Sequence, residues 1–522
     1  DIYEQKADIV AFSCYIWNIS YVLKLIANAK KICPGLKTIV GGPEVSFESK
    51  ELMDCNPSID FLIAGEGEVS FPKVLECLQN SLESYAEIEG LYYRDSTGKV
   101  MVPAEPFAYV KDINDIPSPY TEEMLYSIGK SKIAYFESSR GCPFSCSYCL
   151  SSVTTGVRFF NMERVKSDLM KLINAGVKQI KFVDRTFNCN KKRALEIFSF
   201  VIENGGDTNF HFEAAADLFD DEVLDLLSTA PVGKIQFEIG VQTTNTDALK
   251  AVDRKTNLDM VFYNTSKLRE KGNIHVHLDL IAGLPLEDMD SFTESFNDVY
   301  NLEPHQLQLG FLKLLKGSKI RREAHLHGYV FRDYPPYEVI GNKYISAAEM
   351  LEIKDIEEAL DRTLNSGRFA YTLKYLENYF AEPFELYKGF AGFLKNRGRL
   401  YQPIAAASLF GLLRDYALKI DGINRLELDS LIALDYACSI KSTVLPEFLN
   451  DSDVKALDVK ILLEKLPGLG WKNEYRKRFM VLEGRFPVKI EGKIAAVENR
   501  MIVDTANIDP VTKRASFRPY SS

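Results

Sequence analysis

Three cysteines crowd into the run Ser139-Arg140-Gly141-Cys142-Pro143-Phe144-Ser145-Cys146-Ser147-Tyr148-Cys149, with the spacing C-x3-C-x2-C. Thiolates are soft ligands, suited to iron–sulfur clusters or to zinc. A structural zinc site or a fully ligated cluster takes four ligands, and only three are local here. A [4Fe–4S] cluster held by Cys142, Cys146 and Cys149 leaves one iron with an open position that can chelate an amino and a carboxylate group. Zinc with a distant fourth ligand, Cys189 or a histidine, is one alternative, and a plain electron-transfer cluster is another. The chain has nine cysteines, and the rest are scattered. A disulfide framework spreads pairs over a small secreted domain. A tight cluster in a long chain points instead to a metal site in a reducing compartment, so a cytoplasmic protein is expected.

The elements that position this loop are visible in the hydrophobic pattern. Residues 131–320 show strand candidates at 133–137, 179–183, 210–215, 235–241, 274–282 and 306–312. Helical spacing lies between them, as in Met162, Val165, Leu169, Leu172 and Ile173. Six β/α units imply a parallel (β/α)6 partial barrel whose chemistry sits where the strands end. Glu238 and Gln242, in Phe237-Glu238-Ile239-Gly240-Val241-Gln242, alternate to one side of the fourth strand. An acid inside an apolar strand is costly unless paired, which favours a site role for Glu238. The six histidines make no convincing zinc set. His275 and His277 share one strand face, and His325 or His327 could act as an acid or base.

Residues 1–80 alternate short strands (9–12, 38–40 and 61–64) with helices, an open α/β pattern. Glycines follow the later strands, in Gly41-Gly42-Pro43 and Gly65-Glu66-Gly67-Glu68, where backbone can approach a ligand closely. A hairpin around Ser96-Thr97-Gly98 falls in the stretch 85–130, which reads as a connector. Residues 340–440 are helix-like, and 476–519 return to strand patterning. The C-terminal part holds no catalytic motif and no internal repeat.

The chain has 522 residues, 46% hydrophobic and 26% charged, with a formal net charge of −10. The charge argues against a general nucleic-acid surface. No apolar run reaches the length of about 18 residues that a membrane span needs, and Asp1-Ile2-Tyr3-Glu4-Gln5-Lys6 has no apolar signal core. The absence of a starting Met, with a strand almost at once, suggests that N-terminal sequence is missing.

The cysteine loop, set after the first barrel strand, resembles the radical S-adenosylmethionine (SAM) superfamily over roughly residues 131–320. The resemblance implies that the open iron binds SAM and that Tyr148 packs near the adenine or shields the cluster. At the second strand end, Val183-Asp184-Arg185, the superfamily's Gly-Gly-Glu motif is absent. Asp184 and Arg185 are then candidates for the cofactor's amino and carboxylate groups, with a structural Asp–Arg pair as the alternative. Glu213 would bond to the cofactor's ribose or amino group. Asp279-Leu280-Ile281-Ala282-Gly283-Leu284-Pro285 resembles a segment of the branch with oxygen-independent coproporphyrinogen oxidases and cobalamin-dependent members. Gly283 would admit the adenosyl group and Pro285 fix the turn, while Leu286 stands where a common pattern has Glu.

The loops holding Gly41, Gly42, Gly65 and Gly67 resemble the cobalamin-binding domain that precedes many such enzymes. No histidine precedes His211, so the Asp-x-His-x-x-Gly ligand motif is absent. Together these features imply an α/β chain: a truncated Rossmann-like cobalamin-binding-type domain (1–84), a connector (85–130), a radical SAM domain (131–320) and a mainly helical C-terminal domain (321–522). The implied cofactors are a [4Fe–4S] cluster, SAM and cobalamin. The implied reaction is methyl transfer to an unactivated carbon of a small-molecule or peptide substrate, with an electron donor such as flavodoxin or ferredoxin. Rearrangement, ring formation, oxidation without methyl transfer, or an iron–sulfur sensor are the rivals.

Overall fold

A computed structural model describes residues 2–80, 84–128, 133–153, 156–459, 475–490 and 493–519. The N-terminal sheet begins with three parallel strands, β1 (Ile9–Ser13), β2 (Lys37–Gly41) and β3 (Phe61–Ile63). The helix Ile19–Ile32 crosses from β1 to β2; of Ile19, Val22, Leu23 and Ile26, the residues at helical apolar spacing, it buries all but Leu23, which is half-buried. The hairpin expected in the connector belongs to this sheet instead. Its strands, β4 (Leu91–Arg94) and β5 (Val100–Met101), add antiparallel to β3 in the order β1-β2-β3-β4-β5. The reason is apolar burial: Leu91 and Tyr92 are buried, which a free hairpin in water cannot achieve. Arg94 seals the join by donating to the carbonyls of Ile59 at 2.9 Å and Asn56 at 3.2 Å.

The central sheet opens with β6 (Ile133–Phe136). An antiparallel hairpin of β7 (Ser139–Cys142) and β8 (Gly156–Phe159) then carries the cysteine loop. The sheet continues with β9 (Gln179–Phe182), β10 (Asn209–Glu213), β11 (Ile235–Gln242), β12 (His275–Ala282) and β13 (Gln306–Phe311). The order is β13-β12-β11-β10-β9-β6, and every neighbouring pair is parallel. These are the six β/α units of the sequence pattern. On β11 burial alternates strictly: Ile235, Phe237, Ile239 and Val241 are buried, and the residues between them are not. The buried set joins Phe182, Phe198 and Phe212 in an aromatic core under the helices, leaving the opposite face polar.

The C-terminal part starts with a short pair, β14 (Val330–Phe331) and β15 (Val339–Gly341). Five helices of seven or more residues follow between Ala347 and Ile440. An antiparallel sheet closes the chain: β16 (Lys455–Leu457), β17 (Phe479–Ile490), β18 (Lys493–Ile508) and β19 (Ala515–Pro519). The helix Arg425–Ile440 packs on it, with Leu428, Ile432 and Leu434 in one cluster with Met480, Leu482 and Val503. No helix among the described residues is long and apolar enough to cross a membrane.

Candidate functional site

The cysteine loop hangs from the β7–β8 hairpin, where Cys142 pairs with Gly156. Gly141 has φ +103°, and a Cβ there would lie 2.2 Å from the Gly156 carbonyl oxygen. Only glycine lets the strands close at that point. The middle of the loop is pinned on both sides. Ser147 N–H donates to Val252 O at 2.9 Å, and Ile320 N–H donates to Ser147 O at 3.0 Å. All three thiols are unpaired, with Cys146 buried and Cys142 and Cys149 half-buried. Burial pushes the Cys146 thiol up, and Arg254 opposes it. The Arg254 guanidinium lies 3.8 Å from Cys146 Sγ and 3.5 Å from Tyr148 Oη, and also donates to the Gly240 carbonyl. Sequence reasoning missed Arg254. Its one signal is a cation in the loop beyond the carboxyl end of β11. Tyr148 is half-buried beside the same guanidinium. Cys189 lies near Cys142, and burial followed by Asp184 and Cys142 raises its thiol.

Asp184 does not present a free carboxylate at the strand end, contrary to the sequence expectation. It is 1% exposed. Oδ2 accepts from Ser138 N–H at 2.9 Å, and Oδ1 accepts from the Ser138 and Ser139 hydroxyls at 2.7 and 2.5 Å. It thus braces the turn that leads into the cysteine hairpin. Burial pushes its carboxyl up to about 6, against those hydrogen bonds. Nor does it form the alternative structural pair, because Arg185 beside it is exposed and lines the cleft described below.

Glu213 and Glu238 face the polar side of the sheet. Burial pushes Glu213 up to about 6, with Arg185 opposing. Glu238 takes part in a charge network rather than standing alone. Its carboxylate lies 3.2 Å from His211 Nε2 and 2.9 Å from Lys181 Nζ, and these partners hold it down at about 2. Within β12, His277 Nε2 lies 3.0 Å from Asp279 Oδ1, without hydrogen-bonding geometry. Gln242 has φ +74° at a register shift in β11, and a Cβ on Gly240 would lie 2.0 Å from its Nε2. Its amide folds back over the strand beside Arg254.

Gly283 and Pro285 are buried in the loop after β12. Gly283 has φ +91°, and its carbonyl accepts from Tyr329 Oη at 3.0 Å and Asn342 Nδ2 at 3.1 Å. A Cβ there would meet Met350 and Val339, so the glycine serves packing against the C-terminal part. Glu287, 1% exposed, accepts from the Thr243 hydroxyl, and burial pushes it up to about 8.

The glycine loops and the cysteine hairpin meet at one cleft of about 840 Å³, lined by Gly41, Gly42, Gly65 and Gly67 on one side and Ser139, Arg140, Gly141, Leu150 and Arg185 on the other. The glycines differ in what they do. A Cβ on Gly42 would lie 2.7 Å from Cys14 O, and one on Gly65 would lie 2.4 Å from Ala108 O. Both are demanded by the fold. Gly67 has open space where a Cβ would project, so the fold does not demand a glycine there. Glu66 and Glu68 reach across to the hairpin. Arg158 Nη1 donates to Glu66 Oε2 at 2.9 Å, and Arg140 Nη2 lies 2.8 Å from Glu68 Oε1. Burial would raise Glu66, but Arg158, the Val110 N–H and Arg140 hold it below its ordinary value.

The donor set suits the expected groups. Three free thiols, with a guanidinium beside Cys146, favour an anionic thiolate-ligated cluster, and the cleft has room for a large cofactor against the glycine loops. Family models match in the same order along the chain: B12 binding domain at residues 1–75, Radical SAM superfamily at 136–299, and a protein of unknown function, DUF4080, at 325–465. A cobalamin-dependent radical SAM methyltransferase, TokK, from Streptomyces tokunonensis is 27% identical over 346 residues, 63% of this chain and 50% of that protein. An anaerobic magnesium-protoporphyrin IX monomethyl ester cyclase from Cereibacter sphaeroides is 23% identical over 390 residues, 72% of this chain and 62% of that protein. The chain thus spans about half the length of the first relative and under two thirds of the second. The solved structure of OxsB, a cobalamin-dependent S-adenosylmethionine radical enzyme with aqua-cobalamin and S-adenosylmethionine bound, shares the fold with a TM-score of 0.57 at 15% identity, over 91% of this chain and 75% of that one. The two N-terminal models carry the cofactor set with them: a [4Fe–4S] cluster with SAM, and cobalamin. Residues 136–299 therefore match a radical SAM domain, and residues 1–75 ahead of them a B12-binding domain.

Proposed function

We propose that the protein is a cobalamin-dependent radical SAM methyltransferase acting on an unactivated carbon of a small-molecule or peptide substrate. The observation that carries this is the single cleft shared by the glycine loops and the cysteine hairpin, because transfer between two cofactors needs both within reach of one carbon. When bound, the cluster and SAM supply a 5′-deoxyadenosyl radical that abstracts hydrogen, and cobalamin supplies the methyl group. The chain's own residues bind and orient. Cys142, Cys146 and Cys149 provide three thiolates, and Arg254 offsets their charge. Arg185, exposed on the cleft, is suited to a carboxylate, and Gly67 lines the opposite wall. The Glu66–Arg158 and Glu68–Arg140 pairs hold the two halves in register. An external donor such as flavodoxin or ferredoxin supplies the electron. A cytoplasmic location keeps the nine cysteines reduced.

The test is anaerobic turnover with reductant, cobalamin and SAM labelled in its methyl group, in the presence of a metabolite and peptide extract. Release of 5′-deoxyadenosine with a product that gains a labelled methyl supports the proposal. Ring formation or oxidation without methyl transfer is the second reading, favoured by the cyclase relative, which matches more of this chain than the methyltransferase does. It would release 5′-deoxyadenosine with no labelled product. Release of neither would leave a cluster-binding sensor.

A further inference from the structure

The cysteine loop has two sides. It lines the cleft with Gly141, Leu150, Ser151 and Val153. Pro143 and Ser145, each next in sequence to one of the clustered cysteines, are exposed outside that lining. Residues 141–157 carry no charged side chain. Any charge that meets a partner on the outer side therefore comes from the segments beside the loop.

Two segments flank it. Ser147 donates its N–H to Val252 O at 2.9 Å and accepts from Ile320 N–H at 3.0 Å, so the stretches 250–255 and 319–322 run on either side of the loop. Lys319 Nζ, 2.7 Å from Asp253 Oδ2, ties one stretch to the other. Together the stretches hold six cations and one acid, in a chain whose formal net charge is −10. Two of the cations are turned away from solvent: Arg254 lies against Cys146, and Arg321 lies over the Tyr337 ring. Lys250, Lys255, Lys319 and Arg322 are exposed. Ion pairs with Asp247 and Asp253 engage Lys250 and Lys319 only at the surface, where such pairs are weak and exchange readily with other carboxylates. An uncharged centre with cations around it offers close apolar contact inside an electrostatic rim.

We infer that this outer face is the docking surface for an acidic electron-transfer protein, its carboxylates on Lys250, Lys255, Lys319 and Arg322 and its redox group over Pro143 and Ser145. The inference rests on the cluster-based function proposed above and adds where the electron enters. Entry is on the side of the loop away from the cleft, so donor and substrate do not compete for one opening. The docked donor gives one electron to the [4Fe–4S]2+ cluster, which becomes [4Fe–4S]+. The donor loses that electron; an anionic flavodoxin hydroquinone becomes its neutral semiquinone. A small, charge-steered contact suits a donor that must leave after each delivery.

Titration calorimetry on the reconstituted full chain, kept anaerobic, tests the surface with an acidic flavodoxin in its oxidised form, so that no electron moves. Binding is expected to weaken steeply as salt is added. Lys250→Glu with Lys255→Glu, and separately Lys319→Glu with Arg322→Glu, should each weaken it about tenfold or more. Each pair should slow cluster reduction by flavodoxin hydroquinone to a similar degree and leave reduction by dithionite unchanged. Arg399→Glu with Lys419→Glu, the same change of charge at exposed positions in the C-terminal helical part, should do neither. The two test pairs lie on different stretches, so either decides the matter if the other fails to fold. Four results overturn the inference: no flavodoxin binding or binding indifferent to salt, wild-type affinity in either folded test pair, equal weakening in the control pair, or tighter binding of a single-stranded oligonucleotide than of flavodoxin. Salt-sensitive flavodoxin binding by a protein in which dithionite reduces no cluster would sink the function proposed above and leave the docking surface standing.

Discussion

Arg254 and Asp184 show how two charged side chains serve one loop by opposite means. Arg254 puts a cation 3.8 Å from Cys146 Sγ, whereas Asp184 gathers three donors from Ser138 and Ser139 and holds the hairpin's base. If the three clustered cysteines alone ligate iron, anaerobic reconstitution should give about four irons and four sulfides per chain. Alanine at Cys142, Cys146 or Cys149 should abolish that content, and Cys189→Ala should preserve it. Loss of the cluster in Cys189→Ala would show four-cysteine ligation and end the open-iron proposal. Asp184→Asn puts an amide N–H against the Ser138 N–H, so it should cost about 1–3 kcal/mol of stability. Arg185→Met should leave the melting temperature alone but weaken SAM binding by roughly tenfold or more, the worth of a charge-assisted bond. Melting and SAM affinity measured on the same samples separate the two roles, and unchanged affinity in Arg185→Met removes that residue from the site.

At the scale of elements, the loop after β12 is tied to the end of β11 and to the helix Met289–Tyr300 through Glu287. This carboxyl accepts from Thr243 and Ser295 but lies so deep that its charged form is disfavoured, and it titrates near 8 in place of its ordinary 4.5. A folded-state value above the unfolded one means that native stability is fullest below the ordinary value and falls as pH rises through about 8. Glu287→Gln keeps the acceptor oxygen and removes the titration. The variant should match wild type at pH near 4.5 and exceed it by on the order of 1–3 kcal/mol above pH 8. Denaturant melts at both pH values check this, and a gap that fails to widen with pH would show that the carboxyl is not titrating there.

For the whole molecule, the decisive arrangement is the meeting of two α/β units at one cleft, fastened by Glu66 and Glu68 on Arg158 and Arg140. No histidine among the described residues lines that cleft. The protein should therefore take up cobalamin without an imidazole ligand from its own chain. Electron paramagnetic resonance of the Co(II) form should lack nitrogen superhyperfine splitting. Clear splitting, surviving in a protein freed of buffer imidazole, would reveal a nitrogen ligand in the chain.

The sequence by itself determined the period-two and helical burial patterns, the six-unit parallel sheet and the three thiols, because apolar spacing and a dense cysteine motif are local signals. It also marked Gly41, Gly42, Gly65 and Gly67 as strand-end glycines, but not that Gly42 and Gly65 serve close backbone contacts while Gly67 faces open space. Only the tertiary structure decided which way each strand-end side chain turns. Asp184 turned inward because Ser138 and Ser139, just beyond the end of the neighbouring strand β6, offer it three donors. Glu238 gained Lys181 and His211 from neighbouring strands. Arg254 reached Cys146 from a loop far along the chain. The hairpin at β4–β5 joined the N-terminal sheet because Leu91 and Tyr92 needed a strand to bury against, and a local pattern does not name that partner. Pairings between residues distant in sequence depend on register and packing, and these are properties of the folded whole.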